Sequence, residues 1–503
     1  QMYYGNQQFL FVYEQFDDVR LVAAPPSSIG KFGGDTDNWI WPRHTGDFSM
    51  FRVYASKDNR PAAYSPQNVP YRPKKHFSIS TKGVKEGDFT MIYGFPGNTQ
   101  EYILSDAVAY IAERSDPAKI AIRTGRLDII TKAQESDPAL RIHYAAKHAS
   151  IANAWKKWQG EALGIDRRGT VAAKFDYETQ FGLWSVGRPE YAGVVMGLRA
   201  EYDRIMDAYF AYEITRETLS TLPAAYTPEE RAEECFARRK FAEQALWRHA
   251  FREYGRCPKV YRTPSYAEGM ARYKSPEAYA DALFEAVWEG SDSVAMQPAV
   301  RLREETKRML DHISWMLGTK SLRNLNSKIL NELYTTYIKG LREWDRERAF
   351  YPDANLTLRV AYGSVAGYEY ADGEYHKPQT TLDGIIAKDN PEIYDYDIPQ
   401  SLRDLYASKN YGRWGTVIDG RRTVPVCFLA TNHTTGGNSG SPVLNAGGEL
   451  IGINFDRTWR STMSDIAFDP AICRNIAVDI RYVLFVVDRV GGAGYLLKEM
   501  TLK

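Results

Sequence analysis

Strand-like alternation at both ends of this chain encloses a long stretch of helical periodicity, an order that excludes any all-α or all-β fold. In the middle, Leu198, Tyr202, Ile205, Tyr209 and Tyr212 recur at three- and four-residue steps, one face of an α-helix. Thr227-Pro228 with Glu230 spells a capping box with proline at the first helical position, and Ser275-Pro276 marks another helix start. Up to about residue 100 the runs are short, β-branched and aromatic (FLFVYE, FSMFRVYA, HFSIS, FTMIYGFPG), with turn chemistry such as PPSSIGKFGGDTD between them. The strand pattern returns after Phe350 in LTLRVAYGSV, VPVCFLATN, SPVLN, ELIGINFD and IRYVLFVVD. A chain of 503 residues exceeds what one hydrophobic core supports. The expected organisation is therefore a β portion over 1–100, an inserted α-helical domain over 101–348 and a second β portion over 349–503.

Charge narrows the choice of partners. Lys and Arg number 64 against 63 Asp and Glu, a formal net charge of +1, so nothing global draws nucleic acid or an anionic membrane. No apolar run reaches the length of a membrane span; the most apolar, YVLFVVDRV, is strand-sized and interrupted by charge. Cys235, Cys257, Cys427 and Cys473 stand far apart without C-x-x-C spacing. They read as buried small hydrophobes, one disulfide remaining the alternative, and no metal or cofactor is expected. The opening QMYYGNQQFLFVYEQF alternates like a strand and starts without a cap, as in a chain whose beginning has been removed, so the lack of a targeting segment is uninformative.

The chemistry-bearing stretch is TTGGNSGSPVLNAGGELIGINFDRTW, residues 434–459. Ser439 stands between Asn438 and Gly440, after the strand VCFLATN and before a hairpin whose turn is Asn445-Ala446-Gly447-Gly448. A nucleophilic serine needs an exposed hydroxyl and backbone N–H donors converging on the developing oxyanion. Gly437 lets the backbone turn so that its own N–H and that of Ser439 point into one hole, and Gly440 leaves room above the hydroxyl. The spacing is that of chymotrypsin-type nucleophile loops. Ser441 stands where G-x-S-x-G needs its second glycine, which excludes the α/β-hydrolase elbow, and Ser441 itself reads as structural beside Pro442. A tight glycine turn capped by a serine is the competing structural reading. A triad also needs a carboxylate to orient its histidine. GGDTDNWIWPRHTGDFSMFRVYA, residues 33–55, offers Asp35, Asp37 and Asp47; Asp47 is preferred because it enters a strand, whereas the other two lie in a glycine turn.

Together SSIGKFGGDTDNWIWPRHTGDFS, TNHTTGGNSGSPV and GELIGINFDR resemble the dipeptidyl-peptidase 7/11 family of bacterial serine exopeptidases, along most of both β portions. The resemblance implies a mixed β and α fold: a chymotrypsin-like double β-barrel, its first barrel incomplete here, with an inserted α-helical domain capping the active site. It further implies a periplasmic homodimer acting on peptides with a free N-terminus. Ser439 becomes the nucleophile, Asp47 the triad aspartate, and Gly437 and Ser439 the oxyanion donors. Asn38, Trp39, Asn153 and Asp456 become the group that holds the substrate's α-amino end, and an anion with oriented carbonyl acceptors suits an ammonium. Arg457, eighteen residues after Ser439 (457 minus 439), follows the family members that take Asp or Glu at P1 rather than those with glycine there and a hydrophobic preference. A strand arginine paired with Asp456 is the structural alternative. The expected activity is release of N-terminal dipeptides with Asp or Glu at P1.

The general-base histidine departs from this pattern. In the family it belongs to a TNHHC-type motif, and this chain has none. Of its eight histidines, His433 lies six residues before Ser439 inside the nucleophile loop, and His44 is too close to Asp47 to be oriented by it. The expectation is that these 503 residues are the C-terminal part of a longer protease, weakly active or inactive alone. Rival readings are a dipeptidyl-peptidase 7-like enzyme with hydrophobic P1 preference, a glutamyl endopeptidase, and a non-catalytic peptide-binding module on a protease scaffold.

Overall fold

The computed structural model describes residues 1–290, 293–318 and 325–503, and in it the chain forms two compact units. One comprises Gln1–Gln8 with Tyr102–Pro352, the other Phe9–Glu101 with Asp353–Lys503.

The first unit is helical. Its longest elements include Asp116–Ser136, Pro138–Arg167 and Val194–Glu217, and on the last of these Leu198, Tyr202, Ile205 and Tyr209 are buried along one face. Burial of tyrosines demands partners for their hydroxyls, and Tyr202 meets Tyr334 at 2.6 Å. The expected caps are present. Thr227 Oγ1 accepts from Glu230 N–H while the Glu230 carboxylate takes Thr227 N–H, and Ser275 caps Pro276–Glu289 through Ala278 N–H.

The second unit is framed by a seven-stranded antiparallel sheet. In spatial order it runs Arg359–Ser364, Phe89–Gly94, Ser441–Leu444, Leu450–Arg457, Asn475–Asp479, Pro425–Ala430 and Gln379–Thr381. Every residue of Pro425–Ala430 is buried. Phe428 packs with Ile92, Val443 and Ala477, whereas its neighbours Cys427 and Leu429 join a larger cluster with Ile476, Val478 and Phe485, so both faces of this strand are covered. A three-stranded sheet, Val19–Ala23, Met50–Ala55 and Val69–Pro70, and two two-stranded ribbons complete the β structure. The fold is mixed α and β, and none of the described sheets closes on itself.

Three local expectations are corrected. The run IRYVLFVVD is helical, as Ile480–Phe485 continuing into Val486–Val490: Asp479 caps it by accepting from Arg481 N–H, and a run buried on all sides has no period to separate helix from strand. FLFVYE forms no strand, and Phe9–Tyr13 lies exposed. HFSIS contributes only Ile79, which bridges Leu450 and Leu502. All four cysteines are buried and unbridged, and burial pushes the Cys427 thiol up to about 12. Among the described residues no helix is long and apolar enough to cross a membrane.

Candidate active site

Ser439 lies in the loop that joins Pro425–Ala430 to Ser441–Leu444. Two consecutive turns shape this loop. Asn438 N–H donates to Thr435 O at 3.1 Å, while its own side-chain oxygen takes Thr435 N–H at 3.1 Å. Ser441 N–H then closes on Asn438 O at 3.0 Å, and Asn454 Nδ2 donates to the same oxygen at 3.1 Å. Gly440 N–H reaches Asn454 O at 2.8 Å. The amides of Asn438 and Ser441 are thus spent on the loop itself and that of Gly440 on the strand Leu450–Arg457, whereas those of Gly437 and Ser439 donate to nothing among the described residues.

The glycines have distinct reasons to be there. Gly437 has φ 104° and a Cβ at that position would stand 2.4 Å from Phe95 O, so conformation and space both exclude a side chain. Gly440, at φ 84°, faces open space. Ser439 is exposed, and its Oγ donates to Phe455 O at 3.3 Å. Phe455 is a bulged residue: pairing with Asn475–Asp479 slips register between Asn454 and Asp456, leaving one residue out of the ladder. Ser441, read as structural, is buried at the start of its strand.

The second contributor is the segment Gly33–Asp47. Asp37 is buried and holds it down, accepting from Lys388 Nζ at 2.7 Å and Tyr396 OH at 2.9 Å. Ile40 N–H turns back to Asp37 O at 2.9 Å, which places Trp39 at φ 66°. Asp35 pairs with Lys31 at 3.3 Å. With these two committed, Asp47 is the carboxylate of the segment that remains exposed and makes no hydrogen bond among the described residues. Its pKa is raised, because the protein around it desolvates the carboxylate and Asp456 repels it, against the pull of Arg43.

Arg43 is buried and was not singled out by the sequence reading. Its Nη1 donates to Asp456 Oδ2 at 2.7 Å and to Asp37 O at 2.9 Å, and its Nε to Thr45 Oγ1 at 2.8 Å. Asp456 Oδ1 takes the Arg457 backbone N–H at 2.8 Å. The Arg457 guanidinium does not pair with Asp456. It is only 4% exposed and forms a fork with Asp465, Nη1 to Oδ1 at 2.6 Å and Nη2 to Oδ2 at 2.9 Å, while Nη1 also approaches Ser464 Oγ at 2.9 Å and Thr434 O at 3.2 Å. The guanidinium carbon lies 5.6 Å from the centroid of the Trp39 ring. Asn38 and Trp39 are half-buried in the same segment as Asp47, and Asn153 is exposed on the helix Pro138–Arg167 of the first unit.

The histidines of the second unit have other tasks. His433 Nε2 meets Ser464 O at 2.9 Å, its ring stacks on Phe468, and burial takes its pKa down to about 4. His44 is buried against Gly384 and held neutral, its pKa down to about 3 through burial and the nearby Lys388 and Arg43. His76 bonds Thr501, and His376 bonds Tyr368 and Glu374. Among the described residues no histidine hydrogen-bonds Ser439 or Asp47.

Ser439 is thus exposed in a loop that leaves two backbone N–H groups, its own and that of Gly437, without an acceptor among the described residues, and Asp47 of the same unit makes no hydrogen bond there. A family model described as Peptidase S46 matches residues 1–244 and 224–502, and the chain belongs to that family. It is 43% identical over 546 residues to an Asp/Glu-specific dipeptidyl-peptidase of Capnocytophaga gingivalis, covering 99% of this chain and 75% of the relative. It is 35% identical over 541 residues to a dipeptidyl-peptidase 7 of Phocaeicola vulgatus, covering 99% and 74%. Among solved structures it resembles Porphyromonas endodontalis DPP11 in complex with the dipeptide Arg-Glu, with TM-score 0.82 and 35% identity over 97% of this chain and 75% of that one.

Proposed function

We propose that this peptidase releases dipeptides from peptide N-termini with Asp or Glu at P1. The observation that carries the reading is the exposed Ser439 hydroxyl beside the unengaged N–H groups of Gly437 and Ser439. In this reading Ser439 Oγ attacks the second carbonyl and gives its proton to a general base, and the two amides hold the oxyanion. The protonated base passes its proton to the leaving amine, and water then hydrolyses the ester, freeing the dipeptide and restoring the hydroxyl. Asp47, having no partner of its own, is suited to orient the base and stabilise it as an imidazolium.

Asp456, fixed by Arg43, receives the α-ammonium together with Asn38 and Trp39. Arg457 selects the acidic P1 side chain, an assignment made by family resemblance; the acidic preference itself is supported by relatives 43% identical to this chain that are named Asp/Glu-specific dipeptidyl-peptidases. The open sheets of the second unit are the counterpart of the chymotrypsin-like double barrel, and the working enzyme is a periplasmic homodimer. The test is made in the full-length protein. Ser439→Ala abolishes both dipeptide release and fluorophosphonate labelling, and Arg457→Gly moves preference from Asp to Leu at P1. An unchanged Asp/Leu rate ratio in Arg457→Gly overturns the P1 assignment, and efficient cleavage of N-terminally blocked peptides overturns the exopeptidase reading.

A further inference from the structure

Arg457 reaches the site already paired. A guanidinium this deeply buried is costly unless a carboxylate accompanies it, and Asp465 supplies one through a two-point fork. Asp465 is itself anchored: it ends the helical turn Trp459–Asp465, its backbone oxygen accepts Gln100 N–H at 2.6 Å, and its neighbour Ser464 touches the same guanidinium at 2.9 Å. An acidic P1 side chain therefore does not meet a bare cation. It brings a second carboxylate to a guanidinium whose charge is already balanced.

We propose that Asp465 is a specificity-setting residue which competes with the substrate's acidic side chain for Arg457. The inference rests on the P1 assignment of Arg457 made above. In the empty site the fork keeps a buried cation paired. On binding, the P1 carboxylate takes over at least one of the N–H groups that Asp465 holds, and the return of Asp465 helps expel the acidic dipeptide after cleavage. Asp465 thereby limits how tightly Asp or Glu at P1 is held, and it leaves a neutral P1 side chain unaffected.

The measurement compares KM for dipeptidyl reporters with Glu and with its neutral isostere Gln at P1, in the full-length enzyme. Asp465→Asn removes the competing charge, so KM for the Glu reporter falls on the order of tenfold while that for the Gln reporter stays within about twofold. Asp465→Ala is a second neutral variant with the same expectation. With the Glu/Gln ratio taken as the preference for Glu, KM for Gln divided by KM for Glu, a ratio that is unchanged or falls in the Asp465 variants overturns the competition. Arg457→Met separates the two layers: if it leaves the Glu/Gln ratio at the wild-type value the P1 assignment itself fails, and if it collapses the ratio while the Asp465 variants do not raise it, only the competition fails. Should neither neutral variant fold, a crystal structure of the wild-type enzyme with a dipeptide product ending in Glu decides. The product carboxylate on Arg457 with at least one Asp465 bond broken supports competition; the same carboxylate with both bonds intact overturns it.

Discussion

Arg43 Nη1 lies 2.7 Å from Asp456 Oδ2, with side chains only 9% and 10% exposed, and the two residues are 413 positions apart in sequence. A buried pair of this kind ties the Gly33–Asp47 segment to the end of the strand Leu450–Arg457, and losing one partner strands the other charge. Arg43→Met is expected to cost about 3–5 kcal/mol in stability by denaturant titration. In a double-mutant cycle with Asp456→Asn the coupling is about 1–3 kcal/mol, and additive losses would show that the pair does not hold the segment.

The two positive-φ glycines of the nucleophile loop should respond differently to alanine. Gly437→Ala drives a Cβ to 2.4 Å from Phe95 O and must move the backbone that carries one unengaged amide. Its kcat is expected to fall by about 100-fold or more, as for loss of an oxyanion donor. Gly440→Ala meets open space and suffers only the left-handed conformation, about 1–2 kcal/mol of stability, with kcat held within about tenfold. Thermal melting and steady-state kinetics on both variants check the contrast.

Asp47→Asn separates catalysis from folding. Because Asp47 makes no hydrogen bond among the described residues, the substitution should leave Tm within about 2 °C. If Asp47 is the orienting carboxylate, kcat of the full-length enzyme falls by about 10⁴-fold with the fold intact. A kcat within about tenfold of wild type would remove Asp47 from the triad.

Acid sensitivity should trace in part to His44. Its folded pKa, near 3, lies below the ordinary value of 6.5, so between those limits the unfolded chain binds a proton that the folded chain refuses. Its contribution is therefore constant above pH 6.5 and declines as pH falls toward 3, by about 1.4 kcal/mol per unit. His44→Gln removes that titration, and the stability difference between pH 7.5 and pH 5 should shrink by about 2 kcal/mol relative to wild type. Equal differences in the two proteins would show that His44 is protonated in the fold.

What the sequence made legible was local. The turn Asn445–Gly448 and the alternation around it announce the hairpin that follows Ser439, and Gly448 N–H closes on Asn445 O at 2.9 Å as that chemistry requires. The capping box at Thr227 was equally readable, since both of its hydrogen bonds lie within four residues. The preference for Asp47 over Asp35 and Asp37 came from strand entry; the structure adds that those two are committed to Lys31 and to Lys388 and Tyr396. Pairings of charges were not legible. Arg457 has an aspartate beside it in sequence, yet consecutive strand residues point apart, and it is the turn Trp459–Asp465 that returns the carboxylate it uses. Arg43 carried no signal at all, because its partner is fixed only once two distant segments are packed.

Asp456 and Arg457 are neighbours on one strand, so covalent geometry alone holds their Cα atoms about 3.8 Å apart. On the proposed roles, one grips the end of the peptide and the other inspects the side chain next to the cut. A substitution at 457 can then retune which residue is accepted while the grip stays where it is, so descendants of this peptidase can change their taste in substrates and keep the same ruler.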